Sequence, residues 1–165
     1  MARSRAVVVA LLATLLGSAG AGWWLGGHAT RPTNATVTRA VDGDTIIVRT
    51  DDGRDLTIRI LGVNTPETHD PRKPVECYGP EAADYSKARL TGRRVALEFD
   101  VQQHDIYGRT LAYVLLNGRR FDDELLRLGY ARLLVIPPNG AHARTMLSEM
   151  LEARAARRGL WGACA

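Results

Sequence analysis

Thr36-Val-Thr-Arg-Ala-Val-Asp42-Gly43-Asp44-Thr45-Ile-Ile-Val-Arg-Thr50-Asp51-Asp52-Gly53-Arg54-Asp-Leu-Thr-Ile58-Arg59-Ile60-Leu61 is the stretch that decides the fold. Three runs rich in β-branched residues are separated by two Asp/Gly turns, the pattern of strands joined by tight hairpins. The runs are Thr36 to Val41, Thr45 to Thr50 and Arg54 to Leu61. In the third, side chains alternate between faces, so Leu56, Ile58 and Ile60 point one way and Thr57 and Arg59 the other. A strand that buries one face therefore presents an arginine on its opposite face.

Outward from this meander, Gly79-Pro80 followed by Glu81 to Leu90 reads as a helix with proline in its first turn and an acid beside it. Arg94 to Phe99 alternates as a strand. Arg109 to Leu116 is apolar on both faces, as a central strand is, and closes at the Asn117-Gly118 turn. Asp122-Asp123 open a short helix that stops at Gly129. Beyond Pro137-Pro138-Asn139-Gly140, Ala143, Met146, Leu147 and Met150 fall at helical spacing within Ala141 to Arg158. Five strands and three helices, with one helix inserted between the third and fourth strands, predict a small five-stranded Greek-key barrel of the OB type.

The first 33 residues stand apart from this domain, which spans 34–165. Arg3 and Arg5 precede the apolar run Ala6 to Leu16 and the Ala19-Gly20-Ala21 pattern of a cleavage site, so the segment reads as an export leader. Its uncharged stretch reaches Gly26 and ends near Trp23-Trp24, which leaves both a cleaved signal peptide and a retained membrane anchor open. An extracytoplasmic domain, secreted or tethered, is the expectation. Cys77 and Cys164 suit that compartment, and an even count there permits a disulfide.

The chain has 165 residues, 45% apolar and 24% charged, enough for one domain with a core. Of 22 basic side chains, setting aside Arg3 and Arg5 leaves 20 against 18 acidic ones. That balance excludes the broad basic footprint of a tight, non-specific nucleic-acid binder. Any grip on phosphate must be local. The histidines, His28, His69, His104 and His142, show no zinc or nucleophile spacing.

Local chemistry of that kind is present in three segments: Asp42-Gly43-Asp44-Thr45, Arg59 with Asn64-Thr65-Pro66-Glu67, and Asp105-Ile106-Tyr107-Gly108-Arg109. Together they supply hard oxygen donors for a cation, a carboxylate for water, and guanidinium forks for phosphate oxygens. Asp44, the Asn64 side chain and the Thr65 backbone oxygen make a plausible open Ca²⁺ site, one ion per domain, with Asp42 standing behind them. Glu67, held by Pro66, is the candidate general base. Arg59 and Arg109 are the candidate phosphate clamps, and Tyr107 a donor to a neighbouring phosphate. The blander alternatives are a turn-forming Asp44, a solvated Glu67, and arginines tied up in ion pairs with Asp44 or Asp105.

From about Asn34 to Trp161 these motifs, with Tyr78-Gly79-Pro80-Glu81-Ala82 and Gly159-Leu160-Trp161, resemble the staphylococcal nuclease (thermonuclease) family. The resemblance implies calcium-dependent hydrolysis of DNA and RNA to 3′-phosphate products, nucleic acid as the partner, and a monomer. Three departures bear on it. Asn64 stands where the family pattern has aspartate, which predicts a weaker metal site. Ile106 stands where a lysine is frequent, and Leu133-Leu134-Val135-Ile136 where aromatic residues would stack on bases, which predicts a weaker base grip. A non-catalytic OB-type binding module, or a cell-surface interaction domain with a degenerate site, is the competing expectation.

Overall fold

The computed structural model describes residues 32–68 and 74–164. The export leader, with Arg3, Arg5 and His28, and also His69 lie outside the described residues. Strands β1 (Thr33–Ala40), β2 (Thr45–Thr50) and β3 (Asp55–Ile60) form an antiparallel meander. A short β4 (Gly62–Asn64) follows, then α1 (Gly79–Leu90), β5 (Arg94–Glu98) and β6 (Thr110–Leu116). The chain then runs through β7 (Arg119–Arg120), α2 (Phe121–Leu128), β8 (Arg132–Leu134), α3 (Ala143–Ala155) and α4 (Leu160–Ala163).

The main sheet runs β3-β2-β1-β5-β6-β7, and a parallel pairing of β3 with β6 closes β1, β2, β3, β5 and β6 into a barrel. Closure leaves β1, β2, β3 and β5 with hydrogen-bonded neighbours on both sides, which removes the open edge. The expected five-stranded barrel is therefore the observed one. The short β4, β7 and β8 and the single-turn α4 are additions, too brief to leave a periodic signal in sequence. The first strand also begins at Thr33, three residues earlier than its β-branched run, because residues 33–36 pair with β5.

Inside the barrel, Val37, Ile46, Val48, Ile58, Ile60, Leu97 and Val114 are buried on alternating positions. A register shift between Val37 and Arg39 bends β1, as a bulge does, and helps the small barrel turn its corner. The β2–β3 hairpin is tied by Arg49, whose guanidinium reaches both Asp55 carboxylate oxygens at 2.8 and 2.7 Å. That pair is exposed, so solvent screening keeps its contribution to stability small.

The helices pack around one end of the barrel. On α2, Phe121, Leu125 and Leu126 are fully buried, and α3 lies against that helix with Met146 and Ala153 buried. The Tyr85 hydroxyl on α1 donates to Glu124 on α2 at 2.5 Å, and Arg89 bonds both oxygens of the same carboxylate. Cys77 and Cys164 form a disulfide, as the even count allowed, across a separation of 87 residues.

Candidate active site

Where β2 begins, the backbone is shaped by the Asp42-Gly43-Asp44 turn. The Asp42 carboxylate accepts the Asp44 N–H at 3.1 Å, and the Thr45 carbonyl accepts the Val41 N–H at 2.8 Å. From α1, the buried Ser86 hydroxyl donates to the Gly43 carbonyl at 2.7 Å and fixes the turn to the helix. Only glycine fits at position 43, since a Cβ there would lie 2.5 Å from the Thr65 methyl. The Gly43 backbone thus packs directly against the Thr65 side chain.

That contact delivers Asp44 to Thr65. One Asp44 carboxylate oxygen accepts the Thr65 N–H at 2.9 Å, and the other accepts the Thr45 hydroxyl at 3.1 Å. The first oxygen also faces the Arg59 guanidinium at 3.1 Å, with both side chains largely buried. Arg59 donates further to the carbonyls of Ile60 and Val63 at 2.7 and 2.9 Å, and to the Asn64 amide oxygen at 3.3 Å. Four acceptors hold this fork flat and aimed along one edge of the barrel, where a lysine would offer no planar fork.

Arg109 arrives from the start of β6. The Asp105 carboxylate accepts the N–H groups of Tyr107 and Arg109 at 2.9 Å each, and the Arg109 side chain at 2.6 Å. Although burial works against it, these bonds hold the Asp105 carboxyl below its usual range. Both ion pairs raised as alternatives in the sequence are therefore present, Arg59 with Asp44 and Arg109 with Asp105. Neither withdraws its arginine from the site.

The three segments converge on one polar pocket of about 230 Å³, lined by Asp42, Asp44, Arg59, Asn64, Glu67 and Arg109 together with Thr45, Thr65 and Pro66. Burial first, and the neighbouring Asp44 carboxylate next, push the Asp42 carboxyl up to about 6. Two acids crowded in this way, beside the Asn64 amide oxygen and a third carboxylate, Glu67, are oxygen donors of the kind a hard divalent cation takes. Among the described residues no group of three or more histidine, cysteine, aspartate or glutamate side chains is placed to hold a metal ion, so a cation here would depend on the Asn64 amide and Thr65 backbone oxygens as well as on carboxylates.

Tyr107 is not among the residues lining this pocket. It is 78% exposed, its ring lies 5.6 Å from the Arg109 guanidinium, and it borders a second, apolar pocket. That neighbour has a volume of about 370 Å³, shares Arg59 and Arg109, and is walled by Ile60, Leu111, Tyr113, Val135 and Ile136. Pairing of β4 with β8, Val63 opposite Leu133 and Asn64 opposite Arg132, brings the 133–136 stretch to the site. Sequence reasoning placed that stretch as a base-contact region but missed Tyr113 as a wall. It also missed Glu76, whose carboxylate accepts the Glu67 N–H at 3.2 Å while its own N–H donates to the Glu67 carbonyl at 2.9 Å.

A closed small barrel with three carboxylates and two guanidiniums in one polar pocket points to a class, the phosphodiester-hydrolysing enzymes built on an OB-type barrel. Comparison with known proteins gives the family. A profile described as Staphylococcal nuclease homologue matches residues 57–163. The chain is 42% identical over 125 residues to the Thermonuclease of Staphylococcus hyicus, covering 76% of this chain and 73% of that protein. It is likewise 42% identical over 125 residues to the Thermonuclease of Staphylococcus intermedius, covering 76% and 74%. It is 38% identical over 130 residues to Endonuclease YncB of Bacillus subtilis, covering 78% and 61%. The chain belongs to the staphylococcal nuclease family and is a nuclease.

Proposed function

We propose that this chain is a calcium-dependent, extracytoplasmic nuclease that hydrolyses phosphodiester bonds of DNA and RNA and leaves 3′-phosphate products. The carrying observation is the single polar pocket in which Glu67, Arg59 and Arg109 meet beside Asp44 and Asn64. Asp44, the Asn64 amide oxygen and the Thr65 carbonyl would hold Ca²⁺, with Asp42 supporting Asp44 from behind. The ion supplies charge on the phosphate and a lower pKa for bound water.

Glu67 takes a proton from the attacking water as the water oxygen bonds to phosphorus, the bond to the 5′ oxygen breaks, and that oxygen leaves as a hydroxyl by taking a proton from solvent water. Arg59 and Arg109 neutralise the equatorial oxygens, where charge accumulates in the transition state. Arg59 is largely buried and its fork already fixed, so little reorganisation accompanies the step. The apolar pocket next to both arginines accepts the adjoining base. Ile106, Val135 and Ile136 are aliphatic, so aromatic contact in this pocket falls to Tyr107 and Tyr113, which supports a weaker base grip than a fully aromatic wall would give.

The test is degradation of single- and double-stranded DNA and RNA by the purified chain, in Ca²⁺ or in chelator, with Glu67→Gln alongside. Glu67→Gln keeps shape and removes basicity, so kcat should fall by roughly 10²- to 10⁴-fold. Turnover surviving within a few-fold would remove Glu67 from the water. Binding without degradation would instead favour a non-catalytic module.

A further inference from the structure

We propose that the Cys77–Cys164 disulfide, acting through Glu76, is a positioning device for Glu67, so that its thiol–disulfide state sets the turnover of the enzyme. The inference rests on the assignment of Glu67 to the attacking water. Its basis is a chain of contacts running from the Glu67 backbone to the C-terminus, while the Glu67 carboxylate itself accepts the Thr68 N–H at 2.8 Å.

Glu67 and Glu76 clasp each other through two hydrogen bonds, the Glu67 N–H donating to the Glu76 carboxylate at 3.2 Å and the Glu76 N–H to the Glu67 carbonyl at 2.9 Å. The Glu76 carbonyl in turn accepts the Gly79 N–H at 3.0 Å, at the first residue of α1. Gly79 is buried directly against the Glu67 segment, and a Cβ on it would lie 2.8 Å from the Thr68 methyl and 3.1 Å from the Glu67 carbonyl oxygen. Between Glu76 and this contact sits Cys77. Its partner Cys164 caps α4, donating its N–H to the Leu160 carbonyl at 3.1 Å. Leu160 is buried and its N–H bonds the Gly129 carbonyl at 2.9 Å, so α4 is anchored to the end of α2. The disulfide therefore ties the clasp to a packed part of the molecule.

Glu76 and Cys77 are both exposed. The bond from the Glu67 N–H to the Glu76 carboxylate lies at an exposed position, where hydrogen bonds open readily to water, and the covalent tie adds a restraint on Glu76 that reduction removes. A small-molecule dithiol can reach the link. Two electrons and two protons pass to the sulfurs, the S–S bond breaks, two thiols form, and the dithiol leaves as its own cyclic disulfide. The clasp then loosens, and Glu67 is held less well over the water, where a displacement of about 1 Å costs up to roughly 10²-fold.

The experiment uses the full chain in oxidised, dithiothreitol-reduced and re-oxidised forms, with Cys77→Ser/Cys164→Ser, Glu76→Ala and Glu76→Gln. All are assayed at a temperature where circular dichroism shows each folded. Amide exchange at Glu67 and Glu76 is followed against the core amides of Val37 and Leu97. Reduction is expected to speed exchange at Glu67 and Glu76 about tenfold with the core unchanged, and to lower kcat about tenfold with KM within about twofold. Re-oxidation restores both. Glu76→Gln, which keeps an acceptor for the Glu67 N–H, should retain wild-type kcat, and Glu76→Ala should match the reduced enzyme with no further loss on reduction.

Unchanged kcat in the folded reduced enzyme overturns the proposal. So does a loss confined to KM, or exchange that accelerates equally in the core. Failure of the oxidised wild type to cleave with Ca²⁺ would count against the Glu67 assignment itself, which the exchange data do not depend on.

Discussion

Asn64→Asp should strengthen Ca²⁺ binding by about twentyfold, a value that follows from where Asn64 sits. Its amide oxygen is 3.3 Å from the guanidinium nitrogen that also faces Asp44 at 3.1 Å, and the residue is exposed. Exposure selects the high-dielectric limit for the added charge. A carboxylate centred about 3 Å from a divalent ion then gains about 2.8 kcal/mol. In the metal-free protein the same carboxylate pairs with Arg59, which offsets about 1 kcal/mol. The remainder, about 1.8 kcal/mol, corresponds to roughly a twentyfold lower Kd. Isothermal titration calorimetry of wild type and variant at fixed ionic strength measures it directly. A Kd unchanged within twofold would mean that position 64 does not touch the ion. A weaker Kd would mean that the Arg59 pair dominates and that the fork must release Asn64 before metal enters.

Three further outcomes follow from the packing. Gly43→Ala drives a methyl against Thr65 at 2.5 Å, and should destabilise the fold by about 1–3 kcal/mol in denaturant melts while displacing Asp44, so that activity falls more than folding does. Removing the disulfide by Cys77→Ser/Cys164→Ser frees an 87-residue loop in the unfolded chain, and should lower stability by up to roughly 4 kcal/mol, read as a lower midpoint with an unaltered core spectrum. Asp122 is fully buried beneath β6, and burial, with the nearby Asp123 carboxylate adding, pushes its carboxyl up to about 7 even though it accepts the Val114 N–H at 3.1 Å. The folded state holds this proton more tightly than the unfolded chain, so its contribution is complete below about pH 4 and is lost as pH rises through 7. Asp122→Asn should abolish that part of the slope, and identical pH profiles of stability for the two proteins would refute the assignment.

What the sequence by itself determined is local. Asp/Gly turns, alternating β-branched runs and the Gly79-Pro80 helix start specify their own conformations over a few residues, so the strands and helices were legible from Thr36 to Arg158. The barrel type followed from their order and lengths. The candidate site was legible as residue types, since Asp44, Arg59, Glu67 and Arg109 fall in short motifs whose chemistry is complementary.

Tertiary structure alone decided how those residues engage one another. The Arg59–Asp44 pair, which the sequence raised only as an alternative, is made because the β2–β3 register sets Thr45 opposite Arg59. The β4–β8 pairing, which sets an apolar wall beside the arginines, joins residues some seventy positions apart through strands of only three residues. Tyr107, in motif with Arg109, proved to face the apolar pocket and not the polar one. The Glu67–Glu76 clasp and its tether to Cys164 depend on where α1 and α4 pack, and such long-range contacts are set by burial and chain closure, which no short stretch of sequence carries.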